Sequence, residues 1–187
     1  MKKTFFSLVV AALAAFHLNA GEINVFAAAN VTYAFDELKA EFAKSNPGTK
    51  VTVTLGASGA LSTQVKNGAP ADVFMAANMK FVQDLYDTKF AVTKPVVYAQ
   101  GALALFTIRD IDLAKGINAV EGLKAIAIAN PETAPYGKAS IEALKKAGIY
   151  DKVEKNVILA KSIGEALSQA LSAADVGFIA ASAMYDK

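Results

Sequence analysis

Four times along the chain a short apolar, strand-forming run meets a turn of small residues and then opens into a helical pattern. The junctions are Val25-Phe26-Ala27-Ala28-Ala29-Asn30, Val53-Thr54-Leu55-Gly56-Ala57-Ser58, Ile126-Ala127-Ile128-Ala129-Asn130 running on to Pro135-Tyr136-Gly137, and Val157-Ile158-Leu159-Ala160-Lys161-Ser162-Ile163. Strand, tight turn and helix in succession form the repeating unit of a largely parallel sheet, so the chain reads as an α/β protein. Each helix start leaves unpaired amides pointing outward at the positive end of the helix dipole, and such groups attract anions. Several starts facing one cleft would make an oxyanion site without any cationic side chain.

The alternation predicts strands near 22–27, 50–55, 72–76, 102–107, 125–129, 156–160 and 176–180. In the first helix Val31, Phe35, Leu38 and Phe42 recur at helical spacing and define one buried face. Later helices are predicted near 59–67, 79–87, 138–147 and 163–173, the second closed by Gly68 and the fourth by Gly148. The stretch 92–101 interrupts the pattern with Pro95 and runs extended into Gly101, which reads as a crossover between two lobes. The expected division is a leader over 1–20, a first lobe over 21–100 and a second over 101–187.

Lys2 and Lys3, the apolar run from Phe5 to Phe16 and the small Ala20 before Gly21 have the layout of a cleaved secretory signal. The chain has no cysteine, so it has no disulfide framework and no cysteine for a lipid anchor; with a signal, this fits a bacterial periplasm. Without Lys2 and Lys3 the basic residues equal the 17 acidic ones, and a neutral body argues against nucleic-acid binding. Arg109 is the only arginine, so no arginine cluster clamps a phosphate. The only histidine, His17, lies in the leader. This excludes Ser-His-Asp and Cys-His chemistry and ordinary zinc or copper sites from the body.

Each candidate site residue also has a purely structural role open to it. Asn30 and Ser58 are good helix N-caps. Ser58, however, sits among Gly56, Ala57, Gly59 and Ala60, which let backbone approach a bound group in a way that capping does not require. Tyr136 suits a surface turn, or can donate its phenol O–H or its amide into a cleft. Ser162 and Glu165 have capping-box spacing, which would occupy the Glu165 carboxylate. Ile163, just after that cap, can offer only its backbone N–H. Lys161 is the one lysine within these turns and a weak candidate.

Read in order, three segments resemble the periplasmic molybdate-binding proteins of ABC transporters: Val25 to Ala34, Gly68-Ala69-Pro70-Ala71-Asp72-Val73-Phe74, and Asn130 to Gly137. The resemblance covers essentially the whole chain after the leader. It implies the two-lobed type II periplasmic binding protein fold, each lobe a mostly parallel sheet flanked by helices, with a tetrahedral oxyanion held between the lobes by neutral donors. Many members carry serine at the position of Asn30. A subgroup pairs asparagine there with tyrosine at the position of Tyr136, and this chain has both. By resemblance the ligand contacts are Ala29, Asn30, Ser58, Tyr136 and the backbone amide of Ile163. The tyrosine that other members place after the last strand corresponds here to Ala180, leaving Tyr136 to replace that donor. Family members also continue some tens of residues beyond the position of Lys187 and return to the first lobe. The resemblance therefore implies a C-terminally truncated form.

The implied function is capture of molybdate or tungstate by a monomeric, non-enzymatic protein with no cofactor, for delivery to an ABC transporter's membrane permease. About five to seven neutral hydrogen bonds to a dianion, each worth roughly 1.5–3 kcal/mol, are ample for nanomolar binding, which needs about 12 kcal/mol. Fixed amides suit one oxygen–oxygen spacing, so molybdate and tungstate should bind alike and the smaller sulfate poorly. Rival readings are the same fold with sulfate, thiosulfate or phosphate as ligand, and a small hydrolase using Ser58 with a lysine. Protonated phosphate would want a carboxylate acceptor that the turns lack, and Ser58 is not in a Gly-x-Ser-x-Gly elbow.

Overall fold

The computed structural model describes residues 21–185; the proposed leader lies outside them. Two sheets organise the chain. The first has strand order β2-β1-β3, formed by β1 (Glu22–Ala28), β2 (Lys50–Gly56) and β3 (Val73–Met75), all parallel. The second has order β4-β7-β5-β6, formed by β4 (Leu103–Phe106), β5 (Ile126–Ala129), β6 (Val157–Ala160) and β7 (Val176–Ala180). Its pairs are parallel except β4 with β7. The expected α/β architecture of mostly parallel sheets is present.

The helices are α1 (Thr32–Ser45), α2 (Ser58–Lys66), α3 (Met79–Asp87), α4 (Pro135–Lys146), α5 (Tyr150–Val153) and α6 (Ile163–Ser172). Short 3-10 segments occupy Ala29–Val31, Leu113–Val120, Glu154–Asn156 and Ala181–Tyr185. α4 begins three residues before the predicted 138, because Pro135 at its first position carries a preset helical φ and lacks only an amide that would go unpaired there. This moves Tyr136 from a turn into the first helical turn.

Val120, Ile126, Ile128, Leu144, Val176 and Phe178 form the buried heart of the second sheet's core. β5 and β7 are buried along their whole length, as central parallel strands covered on both faces should be. The first sheet is thinner. Its core cluster is Val25, Ala27 and Phe35, and of the face predicted for α1 only Phe35 is buried. Leu38 and Phe42 remain 52% and 39% exposed, because three strands present too narrow a surface to cover a fourteen-residue helix.

Between β3's layer and β4, residues 92–102 carry no helix or strand, in line with the break in the alternation expected over 92–101. The chain comes back alongside: the Ala181 amide donates to the Ala102 carbonyl at 2.9 Å, and Ser182 Oγ donates to the Asn30 carbonyl at 2.8 Å. The segment after β7 thus ties the end of the crossover to the turn after β1.

Candidate oxyanion site

Register brings the strand ends together. Ala28 pairs with Gly56 and Ala129 with Ala160, so the turns after β1 and β2 lie side by side, as do those after β5 and β6. Ligands in open α/β sheets bind outside the carboxyl ends of the strands, and these are such ends. All end in glycine or alanine. Ala29, Ala57, Ala129, Ala134, Ala160, Ala166 and Ala180 pack with Ile163 into one cluster that joins the two sheets, with Tyr136 against it. Larger side chains would hold the helix starts apart.

Above that cluster lies a pocket with about 200 Å³ of space unfilled by atoms, its open mouth included. Ala28, Ala29, Asn30, Gly56, Ala57, Ser58, Ala77, Ala134, Pro135, Tyr136 and Ile163 line it. All five residues singled out from the sequence are therefore in one place, contributed by both sheets. None of the lining residues carries a formal charge at neutral pH. Lys161 is exposed and absent from the lining; Ala180 lies buried in the alanine cluster below.

The structural roles weighed against these residues resolve differently from the sequence reading. Ser58 is not an N-cap: Ala57 holds that position, and Ser58 is the first residue of α2. Its fully buried Oγ accepts the Ala77 amide at 3.0 Å, which leaves the hydroxyl hydrogen free to point into the pocket. Asn30 caps nothing either, since it lies within the 3-10 turn Ala29–Val31. At α6, Ser162 is the N-cap, with Oγ accepting the Glu165 amide at 3.2 Å. The Glu165 carboxylate reaches back to the Lys161 amide at 2.7 Å, one residue before the usual capping-box partner, and is held there.

Amides at the first positions of α2, α4 and α6 have no acceptor within their own helices. One of them, Gly59 N–H, is already used: it donates across the cleft to the Thr133 carbonyl at 2.8 Å. A Cβ at Gly59 would lie 2.9 Å from that oxygen, so only glycine permits this bridge without displacement.

Burial is the main reason the Tyr136 phenol titrates above its ordinary value of 10.0; neighbouring Tyr98 adds to the rise, and a hydrogen bond from Asn30 opposes it. Tyr136 is consequently a neutral hydroxyl donor at physiological pH. With its amide directed at the phenol, Asn30 keeps a buried Oδ1 without a partner among the described residues. Tyr98, itself raised by burial, belongs to the crossover.

Ala77, Ala134, Pro135 and the Thr133 carbonyl were not anticipated. Ala77 follows β3 in the turn Ala76-Ala77-Asn78, which repeats the small-small-Asn pattern of Ala28-Ala29-Asn30 and is the signal that could have found it. No helix among the described residues is long and apolar enough to cross a membrane.

Residues 23–187 match the family of bacterial extracellular solute-binding proteins. The chain is 36% identical over 171 residues to the molybdate-binding protein ModA of Rhodobacter capsulatus, an alignment covering 90% of this chain and 68% of that protein. Its fold matches the periplasmic molybdate-binding protein of Azotobacter vinelandii with a TM-score of 0.78 and 36% identity, over 84% of this chain and 71% of the other. The sulfate-binding protein SubI of Mycobacterium tuberculosis superposes with a TM-score of 0.67 at 17% identity, over 86% of this chain and 64% of that one, a likeness of fold alone. The alternating strands and helices, the strand ends gathered around a neutral pocket and these matches agree: the chain belongs to the bacterial extracellular solute-binding protein family.

Proposed function

We propose that this protein captures molybdate, and tungstate equally, between its two sheets and delivers the oxyanion to the membrane permease of an ABC importer, acting as a periplasmic monomer without catalysis. The observation that carries this reading is a pocket lined from both sheets by helix starts, a serine, an asparagine and a tyrosine, with no charged side chain. Neutral donors hold a dianion well because each bond to a charged acceptor is roughly twice as strong as a neutral one.

In this reading the chain has two lobes, 21–100 and 101–187, hinged at the crossover. Ala29 and Ile163 offer backbone amides, Ser58 its hydroxyl, and Asn30 and Tyr136 their side-chain donors. Names of the relatives support molybdate as the ligand. Tungstate follows from its near-identical size and charge.

Calorimetric titration with molybdate, tungstate, sulfate and phosphate tests the proposal. Molybdate and tungstate are expected to bind one per chain with similar affinity, and sulfate more than about tenfold more weakly, a gap of about 1.4 kcal/mol. Sulfate binding within tenfold of molybdate would move the reading to a general oxyanion receptor. Hydrolysis or binding of phosphate alone would end it.

A further inference from the structure

Gly101 closes the crossover just before β4, and its surroundings explain why a side chain is missing there. A Cβ built on Gly101 would lie 2.1 Å from the Tyr136 phenol oxygen and 3.2 Å from the ring carbon bearing it. Backbone conformation does not demand glycine at this position, since Gly101 is not among the residues with positive φ. Only the phenol does. The obstructing atom is the tip of a side chain rather than backbone, so a methyl group at residue 101 would push the phenol aside and leave the chain path intact.

We propose that Gly101 is a positioning residue for the oxyanion pocket: its bare Cα lets the Tyr136 phenol stand between the crossover and the ligand. The inference rests on the oxyanion-binding reading above and adds a determinant outside the pocket lining. Tyr136 reaches from α4 in the second sheet's layer, whereas Gly101 belongs to the segment that joins the layers. Sequence alone marked Gly101 as the end of the crossover and gave no reason for its identity.

Geometry also supplies the control. Tyr136→Phe removes the oxygen at 2.1 Å and leaves the ring carbon at 3.2 Å, a distance that a small adjustment relieves. Gly101→Ala should therefore matter in the tyrosine background and hardly at all in the phenylalanine background. Any cost in melting temperature should likewise be confined to the tyrosine background, because the clash is with that phenol.

The test compares wild type, G101A, Y136F and the double variant by molybdate calorimetry, thermal melting and ultraviolet titration of the tyrosines. Expected is about a tenfold or greater loss of molybdate affinity in G101A, less than about twofold further loss when G101A is added to Y136F, and any fall in melting temperature confined to the tyrosine background. In the ultraviolet titration, the late-ionising phenol identified by its absence in Y136F should move down toward 10.0 in G101A as it leaves its buried seat. Unchanged affinity with an unchanged late phenol overturns the inference, as does an equal loss in both backgrounds. Should wild type take up no molybdate at all, the ligand reading fails; the titration then decides the positioning of Tyr136 by itself, with a shift supporting it and no shift overturning it.

Discussion

The two sheets bury their apolar residues very differently, although the pocket draws on both. In the second, Ile126, Ile128, Leu144 and Val176 are completely buried, and helices α4 and α6 pack on a four-stranded sheet. In the first, Val53, Leu55 and Val73 on the strands and Leu38 and Phe42 on α1 remain substantially exposed. A helix with the right periodicity is thus not covered merely because its pattern is right; something must be wide enough to cover it. Yet the residues at the strand ends, Ala27 to Ala29 and Ala57, Ser58, Gly59 and Leu61, are as buried in the first sheet's layer as Ala129, Ala160 and Ile163 in the second. The site is firm where the layers meet, and the loosely covered part lies away from it.

The largest effect that could break this comparison is on stability. Leu144→Ala should cost about 2–5 kcal/mol, since it empties a filled core position, whereas Leu38→Ala on the exposed α1 face should stay within about 0.5 kcal/mol. Urea denaturation followed by circular dichroism reads both. Equal costs would show that α1 is covered as tightly as α4.

Ser58→Ala comes next. It removes a hydroxyl bond to a charged ligand, expected to weaken molybdate binding by about 1.5–3 kcal/mol. It also leaves the Ala77 amide without its acceptor. If calorimetry finds affinity unchanged while melting falls, Ser58 serves only to anchor Ala77.

Gly59→Ala sharpens the point at which the layers join. Its Cβ would crowd the Thr133 carbonyl at 2.9 Å and the Phe81 ring at 3.1 Å, and overpacking of this kind costs about 1–3 kcal/mol. The Phe81 contact lies within the first layer, but the Thr133 contact joins the two, so affinity should drop and small-angle scattering should find a more extended molecule at saturating molybdate. An unchanged scattering profile and affinity would mean that the Gly59–Thr133 bridge does not hold the layers together.

The smallest effect is with pH. Among the described residues Tyr136 is the only titratable one lining the pocket, and burial first of all raises its pKa above 10.0. The neutral phenol is then the form present below that value, in the folded and unfolded chain alike, so neither stability nor affinity should draw on its titration between about pH 6 and 9. As pH rises past 10 the unfolded chain ionises first, which erodes stability. Ionisation in the pocket then removes a donor and adds like charge. A calorimetric series that slopes steeply through neutral pH would point to a charged group that the pocket does not contain.

Much of this was legible in the sequence because βα junctions are local. Asn30, Ser58 and Ile163 each follow a strand within two or three residues and Tyr136 within seven, so period and turn chemistry singled them out without knowledge of the fold. What was not legible depends on residues distant in sequence. The Ala28–Gly56 and Ala129–Ala160 pairings, the Gly59–Thr133 bridge and the acceptance of the Ala77 amide by Ser58 Oγ join parts of the chain that no periodicity connects. The capping roles weighed for Asn30 and Ser58 fell to a local reason instead. A cap is judged from a helix start, and each start lay one or two residues from where propensity put it.

Amide spectroscopy reads the central claim, that one oxyanion is held at once by neutral donors from both layers. In two-dimensional ¹H–¹⁵N spectra recorded through a molybdate titration, the amides of Ala29, Asn30 and Ser58 from the first layer and of Tyr136 and Ile163 from the second should shift together, reaching completion at one equivalent. Shifts confined to one layer, or spread over exposed lysines with no stoichiometric end point, would contradict it.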